Sequence, residues 1–179
     1  MKNDFPIITT VRCLLRQIQE NDLENIFKGL SNAEVYKYYG VSYHSLAATK
    51  EQMNFYSDIE KNNTGIWWAI CSVDNTFFYG AIGYNNLSKK HAKAEIGFWL
   101  LPEFWNKGIM SEIIPQVLQF GFESLSLHRI EAFVETENTS SKSLLGKFDF
   151  LHEGTMKDCE IKNNQYISLD IYAKLNNEN

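Results

Sequence analysis

Residues 100–112 combine the end of an apolar strand, a short turn with one glycine, and the start of an amphipathic helix. A helix that begins at such a turn directs unpaired N–H groups and the positive end of its dipole at one spot. That spot can bind a phosphate or pyrophosphate without a dedicated basic side chain. Gly108 would let the backbone close on the anion, because it lacks a Cβ. Strand–glycine–helix junctions also occur as purely structural turns, so this segment alone leaves both interpretations open.

A second candidate region follows further along the chain. A strand is predicted within residues 128–135, and Asn138-Thr139-Ser140-Ser141 is typical of a capped helix start. An aromatic segment that ends in Glu153-Gly154 comes next. The order of strand, phosphate turn, helix, strand, Asn-x-x-Ser helix and aromatic strand resembles the GCN5-related N-acetyltransferase (GNAT) superfamily. Within that superfamily the chain is most similar to the ribosomal-protein N-terminal acetyltransferases.

Four motifs, in the same order as in the superfamily, carry this resemblance. It covers roughly residues 14–175, about nine tenths of the chain. They are Ala94-Glu95-Ile96-Gly97-Phe98-Trp99, Trp105-x-Lys107-Gly108-x-Met110-x-Glu112, Leu127-His128-Arg129-Ile130 and Asn138-x-x-Ser141. Early antiparallel strands followed by a β–α–β crossover also make a mixed sheet, hence an α+β fold. The resemblance implies the GNAT fold, in which helices flank a central, mostly antiparallel, splayed mixed β-sheet.

The resemblance implies acetyl-coenzyme A as the acetyl donor, a primary amine as the acceptor, and direct attack in a ternary complex. The absence of a Ser/His/Asp or Cys/His pattern fits a reaction without an acyl-enzyme. The pyrophosphate is expected on backbone N–H groups of residues 106–111, with the charge of Lys107 nearby. The cofactor-binding residues that the resemblance implies are Phe98, Trp99, Leu100, Asn106, Lys107, Gly108, Ile109, Met110, Ser111, Asn138 and Ser141.

The pantetheine arm of the cofactor is amide-like and can pair with open backbone groups. By resemblance it lies in a gap where two strands splay apart, which corresponds to residues 98–101 against residues 133–135. In relatives the Asn of Asn-x-x-Ser bonds this arm, so Asn138 is assigned that role. Its alternative role is that of an ordinary helix cap.

Two catalytic roles remain to be filled. An α-amine has a pKa of about 7.7–8.0 and needs only a weak base, for which Glu95 is the candidate, directly or through a water. Ser141 is the candidate general acid for the departing thiolate. Glu95 could instead make a structural hydrogen bond or salt bridge, and Ser141 could only cap its helix or orient the cofactor. A backbone N–H near Trp99 or Leu100 is expected to stabilise charge on the carbonyl oxygen.

Three departures from the family pattern affect these assignments. Met110 stands where a small residue is common, and Leu145 stands where many relatives have the tyrosine that acts as general acid. The usual Glu-Lys-x-Gly-Phe is replaced by Gly146-Lys147-Phe148-Asp149-Phe150. Because Leu145 cannot donate a proton, the general acid must be another residue. The third departure affects the end of the local helix.

Composition excludes several other classes of protein. The chain has 179 residues, of which 44% are hydrophobic and 14% aromatic, as expected for one globular domain. A net charge of −5, from 17 basic against 22 acidic residues, argues against nonspecific nucleic-acid binding. Cys13, Cys71 and Cys159 are widely separated and suggest free thiols, and no metal site is predicted. Neither a leader nor a membrane span is predicted, so we expect a cytoplasmic protein, either a monomer or a homodimer.

The whole chain, 1–179, is predicted to be a single domain with loose tails at 1–6 and 176–179. Strands are predicted at 7–15, 66–72, 76–84, 92–101, 130–135, 150–159 and 166–175. Helices are predicted at 22–30, from a capping box at Thr49 to residue 61, at 109–125 and at 140–147. Residues 35–44 hold four tyrosines and a histidine. This segment is either an amphipathic stretch whose tyrosine rings are buried while their hydroxyls reach solvent, or one wall of an acceptor cleft.

Three functional hypotheses follow. The first is acetylation of a peptide N-terminal amine. The second is acetylation of a small amine such as a polyamine, amino sugar or amino acid. The third is an idle acyl-CoA-binding module, which the residues at Leu145, Gly146 and Asp149 motivate.

Overall fold

The structure is a computed structural model that describes residues 5–176. Its strands are β1 Ile8–Thr9, β2 Cys13–Gln17, β3 Ile66–Ser72, β4 Phe78–Ser88, β5 Lys93–Leu100, β6 Arg129–Glu135, β7 Leu151–Lys162 and β8 Gln165–Leu175. Its α-helices are α1 Leu23–Leu30, α2 Ala33–Tyr36, α3 Leu46–Lys61, α4 Ile109–Gln119 and α5 Thr139–Gly146.

The strands form one sheet in the order β1-β2-β3-β4-β5-β6-β8-β7. All neighbours are antiparallel except β5 and β6, which are parallel and joined by the crossover through α4. The sheet has a core on each face. One core packs α4 and the end of α5 against the sheet, and the other packs α1, α2 and α3 against β3, β4 and β5. This arrangement confirms the predicted α+β fold.

The parallel pair β5–β6 is short. Its pairing covers residues 93–95 of β5 against residues 129–131 of β6 and then stops, although both strands continue. Beyond that point β6 pairs only with β8. The sheet therefore opens into a gap along the second half of β5.

The prediction of one continuous strand at 7–15 is wrong. The chain turns between β1 and β2, where the Thr10 N–H donates to the Cys13 C=O at 2.8 Å, and the two strands then pair antiparallel. A run of β-branched residues favours extended backbone but does not reveal a turn between two extended segments. The turn brings Arg12 to the surface beside the start of α4.

The predicted starts and ends of two helices also need correction. Helix α3 begins at Leu46, not at Thr49, because Ser45 caps it by accepting from the Ala48 N–H at 3.1 Å. Thr49 is buried, and its hydroxyl donates to the Ser45 C=O at 2.9 Å. Helix α4 ends as an α-helix at Gln119 and continues as one π-helical turn over Phe120–Ser124.

The predicted N-terminal tail lies partly outside the described residues. Phe5 and Pro6 are described, and both contact Trp68: the Phe5 ring lies edge-on at 6.1 Å, and the Pro6 C=O accepts from the indole N–H at 2.8 Å. At the other end the Asn176 N–H donates to the His128 C=O at 2.8 Å. In residues 5–176 we find no helix long and apolar enough to cross a bilayer.

Candidate active site

A cleft of about 1430 Å³ occupies the gap between β5 and β6. One end lies at the start of α4, and the other is walled by residues 37–41 and by Tyr43. The second half of β5, the middle of β6 and the first turns of α5 form its sides. We call the part at α4, where the sequence predicts the cofactor, the cofactor end, and the part at residues 37–43, which the sequence offers as a possible acceptor wall, the acceptor end.

At the cofactor end the turn before α4 has the backbone geometry that anion binding requires. Gly108 lies in the left-handed region with φ +75°, and Asn106 also has a positive φ of 57°. The first intrahelical bond runs from the Glu112 N–H to the Gly108 C=O at 3.1 Å. The N–H groups of the first turn, Ile109–Ser111, therefore lack intrahelical acceptors and face the end of the helix.

The register of β5 decides which of its backbone groups face the gap. The Leu101 N–H donates to the Tyr79 C=O at 2.8 Å, on the β4 side. Because backbone groups of successive residues in a strand point to opposite edges, Trp99 also faces β4, whereas Phe98 and Leu100 face the gap. Of the two candidates for stabilising charge on the carbonyl oxygen, the alternation favours the Leu100 N–H over that of Trp99.

The same reasoning applies to β6. The Thr136 N–H donates to the Ser168 C=O at 3.1 Å, which places the even-numbered residues of β6 toward β8. The backbone of Phe133 therefore faces the gap from the opposite side. The Leu100 C=O is already bound, since the Trp105 indole N–H donates to it at 2.8 Å.

Helix α5 borders the middle of the cleft. Asn138 is its N-cap, and Asn138 Oδ1 accepts from the Ser141 N–H at 3.1 Å. The capping role is thus present, and the amide NH2 of Asn138 has no partner among the described residues. Ser141 also lines the cleft. Lys142 anchors the helix by donating to the Thr136 C=O at 2.6 Å and to Asp170 Oδ2 at 3.1 Å.

Glu95 lies where the cleft meets a smaller cavity of about 240 Å³. Its side chain is partly buried, and Asn86 Nδ2 donates to Glu95 Oε2 at 3.0 Å. Burial raises the pKa of Glu95, the Asn86 hydrogen bond opposes this, and the charges of Glu131 and Glu160 raise the pKa further. A carboxylate with a raised pKa beside a cleft is suited to accept a proton.

The acceptor end is built from aromatic and amide side chains. Tyr43 Oη donates to Gln52 Oε1 at 3.1 Å. Tyr56 Oη and Trp99 Nε1 are buried beside them, and although Tyr39, Gln52 and Trp99 lie near the Tyr56 hydroxyl, it makes no hydrogen bond of normal geometry. Burial raises the pKa of Tyr39 well above its usual value and that of Tyr56 to about 12. Both hydroxyls therefore stay protonated at neutral pH.

A lysine from the β7–β8 hairpin holds the acceptor end in place. Lys162 Nζ donates to the Lys37 C=O at 2.5 Å, at the end of α2, and to Glu135 Oε1 at 2.5 Å, at the end of β6. Three elements that are distant in sequence are thereby tied at one point. We call this contact the Lys162 clasp.

The structure places almost every predicted site residue on the cleft. The exception is Lys107, whose ammonium lies 5.5 Å from the centre of the Phe104 ring and is not among the lining groups. The lining residues from the prediction are Glu95, Phe98, Trp99, Leu100, Asn106, Gly108, Ile109, Met110, Ser111, Asn138 and Ser141.

Sequence reasoning did not find Trp105 as a backbone partner, the Lys162 clasp or the contacts of Arg12. Trp105 belongs to one of the sequence motifs, but nothing in that motif indicates that its indole binds the Leu100 C=O. Lys162 lies 125 residues from its partner Lys37, and no local pattern links the two.

The groups present fit acetyl-coenzyme A. The left-handed Gly108 and the unpaired first turn of α4 suit a pyrophosphate, and the strand edges at Phe98, Leu100 and Phe133 leave backbone groups that an amide-bearing arm can satisfy. Any side chain at Gly108 would have to adopt a left-handed backbone that L-residues rarely take.

Comparison with known proteins identifies the family. The profile of the acetyltransferase (GNAT) domain matches residues 12–151. An uncharacterised N-acetyltransferase, YoaA of Bacillus subtilis, is 37% identical over 170 residues, which are 94% of this chain and 96% of that protein. The chain belongs to the GNAT family and is an acyl-CoA-dependent N-acetyltransferase that resembles the ribosomal-protein branch.

Solved structures share the fold at lower identity. RimL, a ribosomal L7/L12 α-N-protein acetyltransferase solved with coenzyme A, has a TM-score of 0.82 at 20% identity and covers 95% of this chain and 98% of its own. A spermidine N-acetyltransferase from Vibrio cholerae, solved with CoA and spermine, has a TM-score of 0.81 at 22% identity, with 91% and 95% covered. These two likenesses extend to the fold alone.

Proposed function

We propose that this protein transfers the acetyl group of acetyl-coenzyme A to the α-amine of a peptide N-terminus, by direct attack in a ternary complex. One observation carries the proposal: Glu95, with its raised pKa, lines the same cleft as the gap-facing backbone of Leu100. A base and a donor for the carbonyl oxygen thus border one continuous space.

The bound cofactor would supply an acetyl group as a thioester, and the chain supplies the rest. Glu95 accepts a proton from the attacking amine, directly or through one water molecule, as the new C–N bond forms. The Leu100 N–H stabilises the negative charge that develops on the carbonyl oxygen, an effect of about 3–4 kcal/mol for one well-placed donor. Ser141 gives a proton to the sulfur as the C–S bond breaks.

An α-amine suits this site better than a lysine side chain does. With a pKa of about 7.7–8.0, a useful fraction of α-amines is already neutral near pH 7, so a carboxylate is a sufficient base. The cleft also continues past the gap to residues 37–41 and leaves room for more than the cofactor.

A small cationic amine is the second candidate. The acceptor end carries the aromatic rings of Tyr38, Tyr39 and Phe55 together with the carboxylates of Glu34 and Glu95. Aromatic faces and carboxylates both attract organic cations. A polyamine would therefore also find favourable contacts here.

A panel assay separates these candidates. Thiol release from acetyl-coenzyme A is followed with N-terminal peptides, polyamines, amino sugars and amino acids, and mass spectrometry locates the added acetyl group. We expect the highest kcat/KM with peptides and acetylation at the α-nitrogen. Turnover of polyamines alone would overturn the peptide assignment. Cofactor binding without turnover of any amine would favour an idle binding module.

Ser141→Ala tests the general-acid role. We expect the rate of turnover at saturating acetyl-coenzyme A to fall about a hundredfold, within the range typical of proton-transfer groups, and the affinity for acetyl-coenzyme A to weaken far less, although Ser141 is also predicted to contact the cofactor. Single-turnover kinetics measure the first quantity and calorimetry the second. An unchanged rate would contradict the general-acid role of Ser141.

A further inference from the structure

A guanidinium from the β1–β2 turn lies against the outer side of the phosphate turn. Arg12 Nη1 donates to the Lys107 C=O at 3.0 Å. A methyl group added at Gly108 would lie 3.5 Å from Arg12 Nη2. Arg12 is 95 residues away from Lys107 in sequence, so the fold alone brings them together.

The carboxylate of Glu112, in the first turns of α4, holds Arg12 in this position. Glu112 Oε2 accepts from Arg12 Nε at 2.5 Å, and Glu112 Oε1 accepts from the Arg12 backbone N–H at 2.8 Å and from Thr10 Oγ1 at 2.6 Å. Burial would raise the pKa of Glu112, but the hydrogen bonds from Thr10 and Arg12 outweigh it and lower the pKa. The carboxylate is therefore ionised at neutral pH, and the β1–β2 turn is tied to α4 by several bonds.

The contact with Lys107 fixes the direction of one peptide group. In a trans peptide the C=O of one residue and the N–H of the next point in opposite directions, and all described peptide bonds are trans. Since the Lys107 C=O points outward to Arg12, the Gly108 N–H points the other way. Asn106, Gly108 and Ser111 line the cleft whereas Arg12 and Lys107 do not, so we infer that the Gly108 N–H points toward the cleft.

We propose that Arg12 is a positioning residue for the cofactor's pyrophosphate, because its bond to the Lys107 carbonyl aims the Gly108 N–H into the cofactor end of the cleft. The inference rests on the proposed function, since it requires acetyl-coenzyme A at this site. Arg12 is not among the residues that line the cleft, so its effect passes through the backbone of the turn. The fork of the guanidinium matters more than its charge, since one ammonium cannot reproduce its separate bonds to Glu112 and Lys107.

Calorimetry of acetyl-coenzyme A binding to the full chain tests this proposal. The variants are Arg12→Gln, which removes the fork and the charge, and Arg12→Lys, which removes the fork and keeps the charge. Lys61→Gln removes one positive charge from an exposed site on α3 and is the matched control. We expect both Arg12 variants to weaken binding about tenfold and the control to bind like the wild type. The ratio to wild type should be the same at low and high salt, because an exposed charge acting directly on the anion would be screened.

Other results would overturn the proposal. If Arg12→Lys binds acetyl-coenzyme A like the wild type, or if the loss of affinity disappears at high salt, then the charge of Arg12 attracts the cofactor and the guanidinium fork has no role. If Arg12→Gln binds like the wild type, Arg12 has no role in cofactor binding. Should Arg12→Gln fail to fold, Glu112→Gln replaces it; we expect a loss of about threefold, and wild-type affinity would contradict the proposal. Failure of wild-type protein to bind acetyl-coenzyme A would instead sink the proposed function.

Discussion

The two ends of the cleft are made in different ways. The cofactor end consists mainly of backbone: the left-handed Gly108, the first turn of α4 and the open strand edges at Leu100 and Phe133. The acceptor end consists of side chains, and the Lys162 clasp holds it. A backbone site can recognise one cofactor while the side chains around it change. A side-chain site can change its acceptor without disturbing the cofactor, so substitutions at the two ends should affect different binding constants.

The largest effect should come from Gly108→Glu. We expect it to abolish acetyl-coenzyme A binding, because the new side chain needs a strained left-handed backbone and brings a negative charge to an anion site. Calorimetry measures the affinity. Gly154→Glu is the matched control, since Gly154 has open space around it and lies on β7, away from the cleft. Normal cofactor affinity in Gly108→Glu would show that the turn before α4 does not bind the cofactor.

Glu95→Gln should lower kcat about a hundredfold without changing the affinity for acetyl-coenzyme A. The wild-type rate should fall as the pH drops through the raised pKa of Glu95, because the carboxylate is then protonated, and the variant should lose this limb of its profile. Steady-state kinetics between pH 4 and pH 9 provide the comparison. An identical profile for the two proteins would retire Glu95 as the base.

Glu95→Gln should lower kcat but raise the stability of the fold. The pKa of Glu95 is higher in the folded protein than in the unfolded chain, so the folded protein binds the proton more tightly. The stability that protonated Glu95 contributes is therefore present at low pH and lost as the pH rises. At neutral pH Glu95→Gln should therefore unfold at a higher temperature than the wild type. A lower unfolding temperature would indicate that the Asn86 hydrogen bond outweighs the cost of burial.

Asn138→Asp separates the capping role from cofactor binding. Aspartate keeps an oxygen for the Ser141 N–H but loses the amide NH2. We expect an unchanged unfolding temperature and an affinity for acetyl-coenzyme A about tenfold weaker, because the new carboxylate cannot donate to the pantetheine arm. Asn138→Ala should lose both stability and affinity. If Asn138→Asp binds normally, Asn138 is only a cap.

Lys162→Ala should give the smallest effect, and only at the acceptor end. Without the clasp, residues 37–41 lose their tie to β6, so we expect the KM for the acceptor to rise about threefold to tenfold. The affinity for acetyl-coenzyme A should not change. Lys157→Ala, an exposed lysine on the same strand, is the control. A change in cofactor affinity in Lys162→Ala would contradict the independence of the two ends.

The strand, turn and helix that form the cofactor end could be predicted from the sequence because they are contiguous. The strand, Gly108 and the helix after it are contiguous, and Asn138 opens the next helix with a recognisable cap. Hydrophobic periodicity likewise predicts the main strands of the sheet and the helices that pack against it. The start of α3 was misplaced because Ser45 and Thr49 are both good caps, and only packing decides between them.

The contacts between distant elements could not be predicted from one sequence. Arg12 and Glu112 lie 100 residues apart, and Lys162 and Lys37 lie 125 apart. The choice of Leu100 over Trp99 also depends on the register between β4 and β5, and a shift of one residue would reverse it. Such features depend on tertiary structure, which a single sequence does not specify at this detail.

Amide hydrogen exchange of residues 98–100, with and without acetyl-coenzyme A, tests the central claim most directly. In the free protein the Trp99 N–H should exchange slowly because it faces β4, whereas the N–H groups of Phe98 and Leu100 face the gap and should exchange faster. Saturation with acetyl-coenzyme A should slow exchange at Phe98 and Leu100 and leave Trp99 unchanged. Bound cofactor with no slowing at Leu100 would contradict the assignment of the gap between β5 and β6 as the cofactor site.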